Sequence, residues 1–105
     1  MNARNQRHEG WTNYETWCVQ LWIANDYGLY HYFRDRVREL KAARGVSRTI
    51  MLPKTRKAIE LELAEELKEW ANENAPNVDG MWGDLLGAAL GEVNWDEIAK
   101  DMVQS

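Results

Sequence analysis

The sequence predicts an all-α fold, a compact single-domain bundle of about five helices, on three observations. Apolar residues recur at spacings of three and four along most of the chain. Capping residues stand at helix starts, and Gly or Pro stands between the periodic stretches. No alternating strand pattern, repeat or low-complexity tract of weight interrupts this layout. At 105 residues the chain is one domain by length, and a chain of this size buries roughly 65% of its unfolded surface, enough for a core without disulfide or metal. The organisation expected is a flexible N-terminal arm over 1–10 followed by a single helical domain over 11–105.

Thr12 begins the first helix, because Thr12 with Glu15 fits the capping box in which hydroxyl and carboxylate each satisfy an orphan N–H. Trp11, one place earlier, is expected to close as a hydrophobic staple on Thr16 or its neighbour Trp17. Tyr14, Trp17, Cys18 and Leu21 recur at helical spacing and define a buried face. Val19, Trp22 and Ile23 add apolar surface on other sides, so this helix is expected to be central or covered by a partner.

Asn25 or Asp26 caps a second helix over about 29–44, with Leu29, Tyr30, Phe33, Val37 and Leu40 inward and Gly45 as its stop. Residues 45–53 read as a loop whose Ile50-Met51-Leu52 tucks against the core, and Pro53 blocks any helix through it. A third helix spans about 54–74, with Ile59, Leu63, Leu67 and Trp70 as its buried stripe. A turn at Asn77-Val78-Asp79-Gly80 leads into a short apolar helix containing Met81, Trp82, Leu85, Leu86, Ala89 and Leu90. Its Gly83 and Gly87 are expected to permit close helix contact. Asn94 with Glu97 repeats the capping-box pattern and opens a last helix with Trp95, Ile98, Ala99 and Met102 inward.

The six Trp exceed what so short a chain needs. Each removes roughly 150–250 Å² from water when buried, so most are expected in the core, with one or two left for a partner surface. Cys18 is the only cysteine, which excludes an internal disulfide. The polar N-terminus is not expected to act as a signal peptide, and no segment approaches the ~20 apolar residues of a membrane span. A soluble protein in the cytoplasm is expected, with no membrane partner. The net charge of −4 conceals an asymmetry. Residues 1–57 carry eleven Lys and Arg against five acids, and residues 58–105 carry two against twelve. Such halves either neutralise each other or meet charged partners.

Trp11-Thr12-Asn13-Tyr14-Glu15-Thr16-Trp17, followed by Leu21-Trp22-Ile23 and Asn25-Asp26, resembles the signature of a group of small uncharacterised proteins of phages, plasmids and other mobile elements. The stretch 84–90, with Val93-Asn94-Trp95 and Glu97-Ile98-Ala99, is similar to that group's other recurring block. The two blocks cover nearly half the chain at its two ends, while about 41–57 shows no such likeness. The resemblance implies a mobile-element setting, in the cytoplasm of the host cell, and no activity.

No catalytic residue is assigned. His8 lies in the arm, His31 points off its helix's stripe, and no Ser, Cys or carboxylate is placed beside either by local spacing. Two His and one Cys at these separations suggest no metal site, and no cofactor is implied. Cys18 reads as a small hydrophobe. Trp11, Tyr14 and Trp17 are structural anchors, the alternative being a base-stacking surface.

Two charged surfaces remain as binding candidates. Glu62, Glu66, Glu69 and Glu73 form one line on the third helix; carboxylate rows can imitate nucleic-acid phosphates and occupy a basic groove of a nuclease. The bland alternative is a solvated face. Arg34, Arg38 and Lys41 lie along one flank of the second helix, within the basic stretch 34–57, and offer a nucleic-acid contact. Their alternative is pairing with the Glu line. The expected function is thus a non-enzymatic protein that binds a macromolecule, foremost another protein. The leading class is an inhibitor or modulator of a host defence system, of anti-CRISPR or anti-restriction type, aimed at a host nuclease or effector. A nucleic-acid-binding accessory protein is the second class, and a homodimer is left open.

Overall fold

The computed structural model describes residues 7–43 and 55–105. They form five α-helices: α1 Tyr14–Asn25, α2 Tyr27–Ala43, α3 Arg56–Asn74, α4 Gly80–Gly91 and α5 Trp95–Gln104. The expected Gly45 stop, the apolar Ile50-Met51-Leu52, the Pro53 break and the arm over 1–6 lie outside the described residues.

The cap of α1 is Asn13 and not Thr12. Asn13 Oδ1 accepts from the Thr16 N–H at 2.9 Å and from the Thr16 hydroxyl at 2.6 Å. Asn is among the strongest N-cap residues and outranks Thr, so the helix begins one residue later than the capping box implied. Ahead of it, His8 and Trp11 exchange backbone hydrogen bonds at 2.8 Å around Glu9 and Gly10. Both central residues have positive φ, as a type I′ turn requires, and Gly10 carries the larger value of 88° without a side chain to strain.

Asp26 alone separates α1 from α2. Its N–H donates to the Ile23 carbonyl while its Oδ1 accepts from the Leu29 N–H, so one residue ends the first helix and caps the second. Thr55 caps α3 through the Ala58 N–H, and Asn94 caps α5 through the Glu97 N–H.

The core is built from Ile23 of α1, Phe33, Val37 and Leu40 of α2, Ile59, Leu63, Ala64 and Leu67 of α3, and Val93, Ile98, Ala99 and Val103 at and in α5. Helices α3 and α5 lie along each other most extensively, with α1 and α2 closing over them. The stripes expected in α2, α3 and α5 are thereby found, except that Tyr30 is exposed and Leu29, Trp70, Trp95 and Met102 are half-buried at the core's edge.

Three expectations are corrected. The buried residues of α1 are Thr16 and Ile23, whereas Trp17, Cys18 and Leu21 are half-buried and Tyr14 is exposed. Because α1 is apolar on every side, periodicity alone gave its inward direction no anchor. No Trp is fully buried: Trp11, Trp17, Trp70 and Trp95 are half-buried, and Trp22 and Trp82 are exposed. The glycines of α4 do not seat a second helix. A Cβ at Gly83 would meet the Val78 carbonyl oxygen at 2.1 Å, a collision with the chain's own preceding turn, and one at Gly87 would meet nothing within 4 Å.

Candidate functional site

The aromatic N-terminal motif and the C-terminal block form one clasp. The Asn94 N–H donates to the Thr16 hydroxyl at 2.9 Å, the Asn13 side-chain amide donates to the Glu92 carbonyl at 2.7 Å, and the Thr12 N–H donates to Glu97 Oε1 at 3.1 Å. Asn13 and Thr16 are buried, so these bonds sit where an unpaired polar group is costly. Glu97 thus serves the first helix start, while Thr16 serves the Asn94 N–H that Glu97 would satisfy in an ordinary capping box. Sequence reasoning passed over Asn13, Thr16 and Glu97 as linking residues. The signal present was an Asn two positions after Trp11, standing three before a Thr, which suits capping better than Thr12 does.

The remaining motif aromatics stand around this clasp. Trp11 packs against the core. Tyr14 and Trp17 lie with ring centroids 5.4 Å apart, and His8 sits on both, 5.1 Å from Tyr14 and 4.4 Å from Trp17. Tyr14 and Trp17 therefore stand on the clasp's outer side while Trp11 packs against the core, so the three anchors do not share one core face.

The acidic line on α3 does not present four equivalent carboxylates. Arg36 reaches across from α2 and grips Glu66 in a two-pronged pair, Nε to Oε1 at 2.8 Å and the terminal nitrogen to Oε2 at 2.6 Å. Its other terminal nitrogen meets Glu39 at 2.6 Å. Hydrogen bonding to Glu66, and next to Glu39, lifts the Arg36 pKa above the ordinary guanidinium value. Among the described residues, the basic and acidic halves pair through Arg36 and not through the flank of Arg34, Arg38 and Lys41. Glu69 and Glu73 are exposed, and both border a cleft with Tyr32, Arg36, Glu66 and Trp70.

Trp70 also borders a second depression. An apolar groove of about 320 Å³ runs between α1, the end of α3, α4 and the start of α5, walled by Cys18, Val19, Trp22, Leu86, Leu90 and Trp95. Trp22 is 71% exposed at its edge. Trp70, its ring edge-on against buried Phe33 at 5.8 Å, therefore lines both a carboxylate-bearing cleft and an apolar groove.

Arg34, Arg38 and Lys41 rim a different cavity of about 380 Å³, with Tyr30 beside them and Phe33, Val37, Ile98 and Met102 among its apolar walls. The Arg34 guanidinium lies over the Tyr30 ring, 5.6 Å from its centroid, and Arg38 approaches Asp35 at 3.8 Å. Asp101 lies at the same cavity.

Among the described residues, no group of three or more His, Cys, Asp or Glu is placed to hold a metal ion. No helix among them is long and apolar enough to cross a membrane. A family model described as "Family of unknown function (DUF7249)" matches residues 4–104, and the chain belongs to that family. Neither a curated protein nor a solved structure matches it.

Proposed function

We propose that this member of a family of unknown function is a non-enzymatic binding protein that docks another protein across the Trp70 seam. The observation that carries the reading is that Trp70 lines both depressions, with Glu69 and Glu73 in one and Trp22, Leu86 and Leu90 in the other. A partner with an apolar ridge bordered by Lys or Arg fits both. Trp is a common hot-spot residue because it contributes a large apolar area with few rotamers to freeze, and the carboxylates steer and register a basic partner.

The resemblance of the two end blocks to mobile-element proteins supports a host defence nuclease or effector as the target class. Such proteins carry basic grooves for nucleic acid, and Glu69 with Glu73 would meet one as phosphates do. Glu66 takes less part, since Arg36 already neutralises it. Capture of such a target by the wild-type protein, and its loss in Glu69→Lys with Glu73→Lys and in Trp22→Ala, tests the reading.

The second reading rests on the cavity rimmed by Arg34, Arg38 and Lys41. An aromatic ring beside cations suits a stacked base and its phosphate, and the Arg34–Tyr30 contact favours single-stranded nucleic acid over duplex. Tight binding to short single-stranded DNA, lost with moderate salt and in Arg34→Ala with Arg38→Ala, supports this alternative over the first.

A further inference from the structure

We propose that the cavity lined by α1, α2 and α5 binds a small amphipathic carboxylate, its hydrocarbon body against the walls and its carboxylate held by Arg34, Arg38 and Lys41. This ligand is of another class than the nucleic acid of the second reading, and the Trp70 seam takes no part in holding it.

The cations stand where helix geometry puts them. In α2, Phe33, Val37 and Leu40 turn into the core, and Arg34, Arg38 and Lys41 each follow one of them. About 100° further round the helix, they form a line of charge along the border of the buried stripe. Ile98, Asp101, Met102 and Ser105 line the cavity from one face of α5, and α1 contributes Gln20, Ile23 and Ala24. The volume of about 380 Å³ falls in the range of small-molecule sites.

Charge and hydrogen bonding select the ligand. Three cations line the cavity against one carboxylate, Asp101, a local excess opposite in sign to the chain's net −4. Arg38 meets Asp35 only at 3.8 Å, with both side chains largely exposed, and such a pair is worth little. Among the described residues Arg34 and Lys41 enter no ion pair, so their donors are available to an anion. Other polar groups of the lining are committed: Gln20 Nε2 donates to the Trp17 carbonyl at 3.1 Å, and the Ser105 hydroxyl donates within its own helix end. A nucleobase carries polar atoms round most of its edge, which walls of Ile23, Phe33, Val37 and Met102 would leave unpaired at a cost. A hydrocarbon body has none to leave. Asp101 belongs to α5, so it directs the ligand's charge towards α2.

Titration of the full chain with hexanoate, octanoate and decanoate below micelle formation, followed by amide shifts in NMR spectra, tests this. The expected result is saturable shifts around 34–41 and 98–102, with affinity rising roughly two- to fourfold per added CH₂. Octylammonium, with the same body and the opposite charge, should bind about tenfold more weakly than octanoate. Arg34→Gln with Arg38→Gln should weaken octanoate about tenfold; both residues are exposed, so circular dichroism should not change. Ala24→Trp, which adds bulk at an exposed position of the lining, should block the site. Decanoate that gives no saturable shift overturns the proposal. So does octylammonium binding as tightly as octanoate, or an octanoate affinity that the paired Arg substitutions leave unchanged. Phosphatidylglycerol vesicles that sediment with the chain while free decanoate fails to bind overturn it in favour of a membrane surface. A short oligothymidylate that shifts the same amides while decanoate does not overturns it in favour of the second reading. Because Trp22, Glu69 and Glu73 do not line this cavity, these variants should still capture the protein target, so the two proposals fail separately.

Discussion

The Thr16 hydroxyl accepts a hydrogen bond from the Asn94 backbone N–H at 2.9 Å, joining the first turn of α1 to the cap of α5 across 78 residues of sequence. The same hydroxyl donates to Asn13 Oδ1, so both helix caps hang on one side chain. Thr16→Val keeps the volume and removes the hydroxyl, leaving the Asn94 N–H without this acceptor. It should destabilise the fold by about 2 kcal/mol, read as a lowered urea midpoint with unchanged slope. Thr12→Ala should cost below about 0.5 kcal/mol, because Thr12 joins the clasp through its backbone N–H. Equal losses in the two variants would contradict the assignment of the cap to Asn13.

The two glycines of α4 should respond in opposite directions. Gly83→Ala drives a methyl into the Val78 carbonyl, which is backbone and cannot swing aside; a loss of about 1–3 kcal/mol is expected. Gly87→Ala enters open space and gains helix propensity, stabilising α4 by about 0.5–1 kcal/mol. Amide hydrogen exchange across α4 reads both, with faster exchange in the first variant and slower exchange in the second.

Removing one partner of the Arg36–Glu66 pair should have a modest, salt-sensitive effect. Both side chains are 27% exposed, so solvent screens the attraction, and Glu66→Gln should cost about 1 kcal/mol at low ionic strength and less at high. The sign with pH follows from the raised Arg36 pKa: its stabilisation is complete below the ordinary guanidinium value and is lost only as pH rises beyond it. Stability of the Arg36→Ala variant relative to wild type should therefore show no loss of difference through neutral to moderately alkaline pH. For the same reason Glu66→Lys is a poor probe of partner binding, since it sets a second cation beside Arg36.

Indole fluorescence should report two accessible rings among six. Trp22 and Trp82 are the exposed pair, so iodide quenching should fall sharply in Trp22→Phe with Trp82→Phe. Trp70→Phe, at the edge of the core, should leave most of the quenching in place and cost stability instead. Unchanged quenching in the first variant would show that other indoles carry the exposure.

The helix count and the stripes of α2, α3 and α5 were legible because each carries polar residues opposite its apolar ones, which gives the periodicity a direction. Helix α1 lacks that contrast, and its inward side was settled by hydrogen bonds of Asn13 and Thr16 that no local spacing displays. The clasp was hidden for a related reason: Asn94 and Glu97 look like a self-contained capping box until the chain's other end is folded against them. The carboxylate line on α3 was visible at its spacing, but its interruption by Arg36 depends on the angle between α2 and α3. The surplus of Trp announced unusual apolar surface without saying that Trp22 and Trp82 would face outward. For Trp82 that placement follows from α4, whose glycine-rich sequence buries no residue; for Trp22 it follows from α1, whose all-round apolar surface cannot all turn inward.

The most direct measurement is capture from host lysate by three versions of the full chain, the two variants matched to each other in net charge, with bound proteins identified by mass spectrometry. Wild type, Glu69→Lys with Glu73→Lys at the Trp70 seam, and Glu65→Lys with Asp96→Lys on another face of the bundle are compared. The expected result is one protein retained by wild type and by the second pair of reversals, and lost from the seam variant. Equal retention by all three, or equal loss from both variants, would contradict docking across Glu69, Glu73 and Trp70.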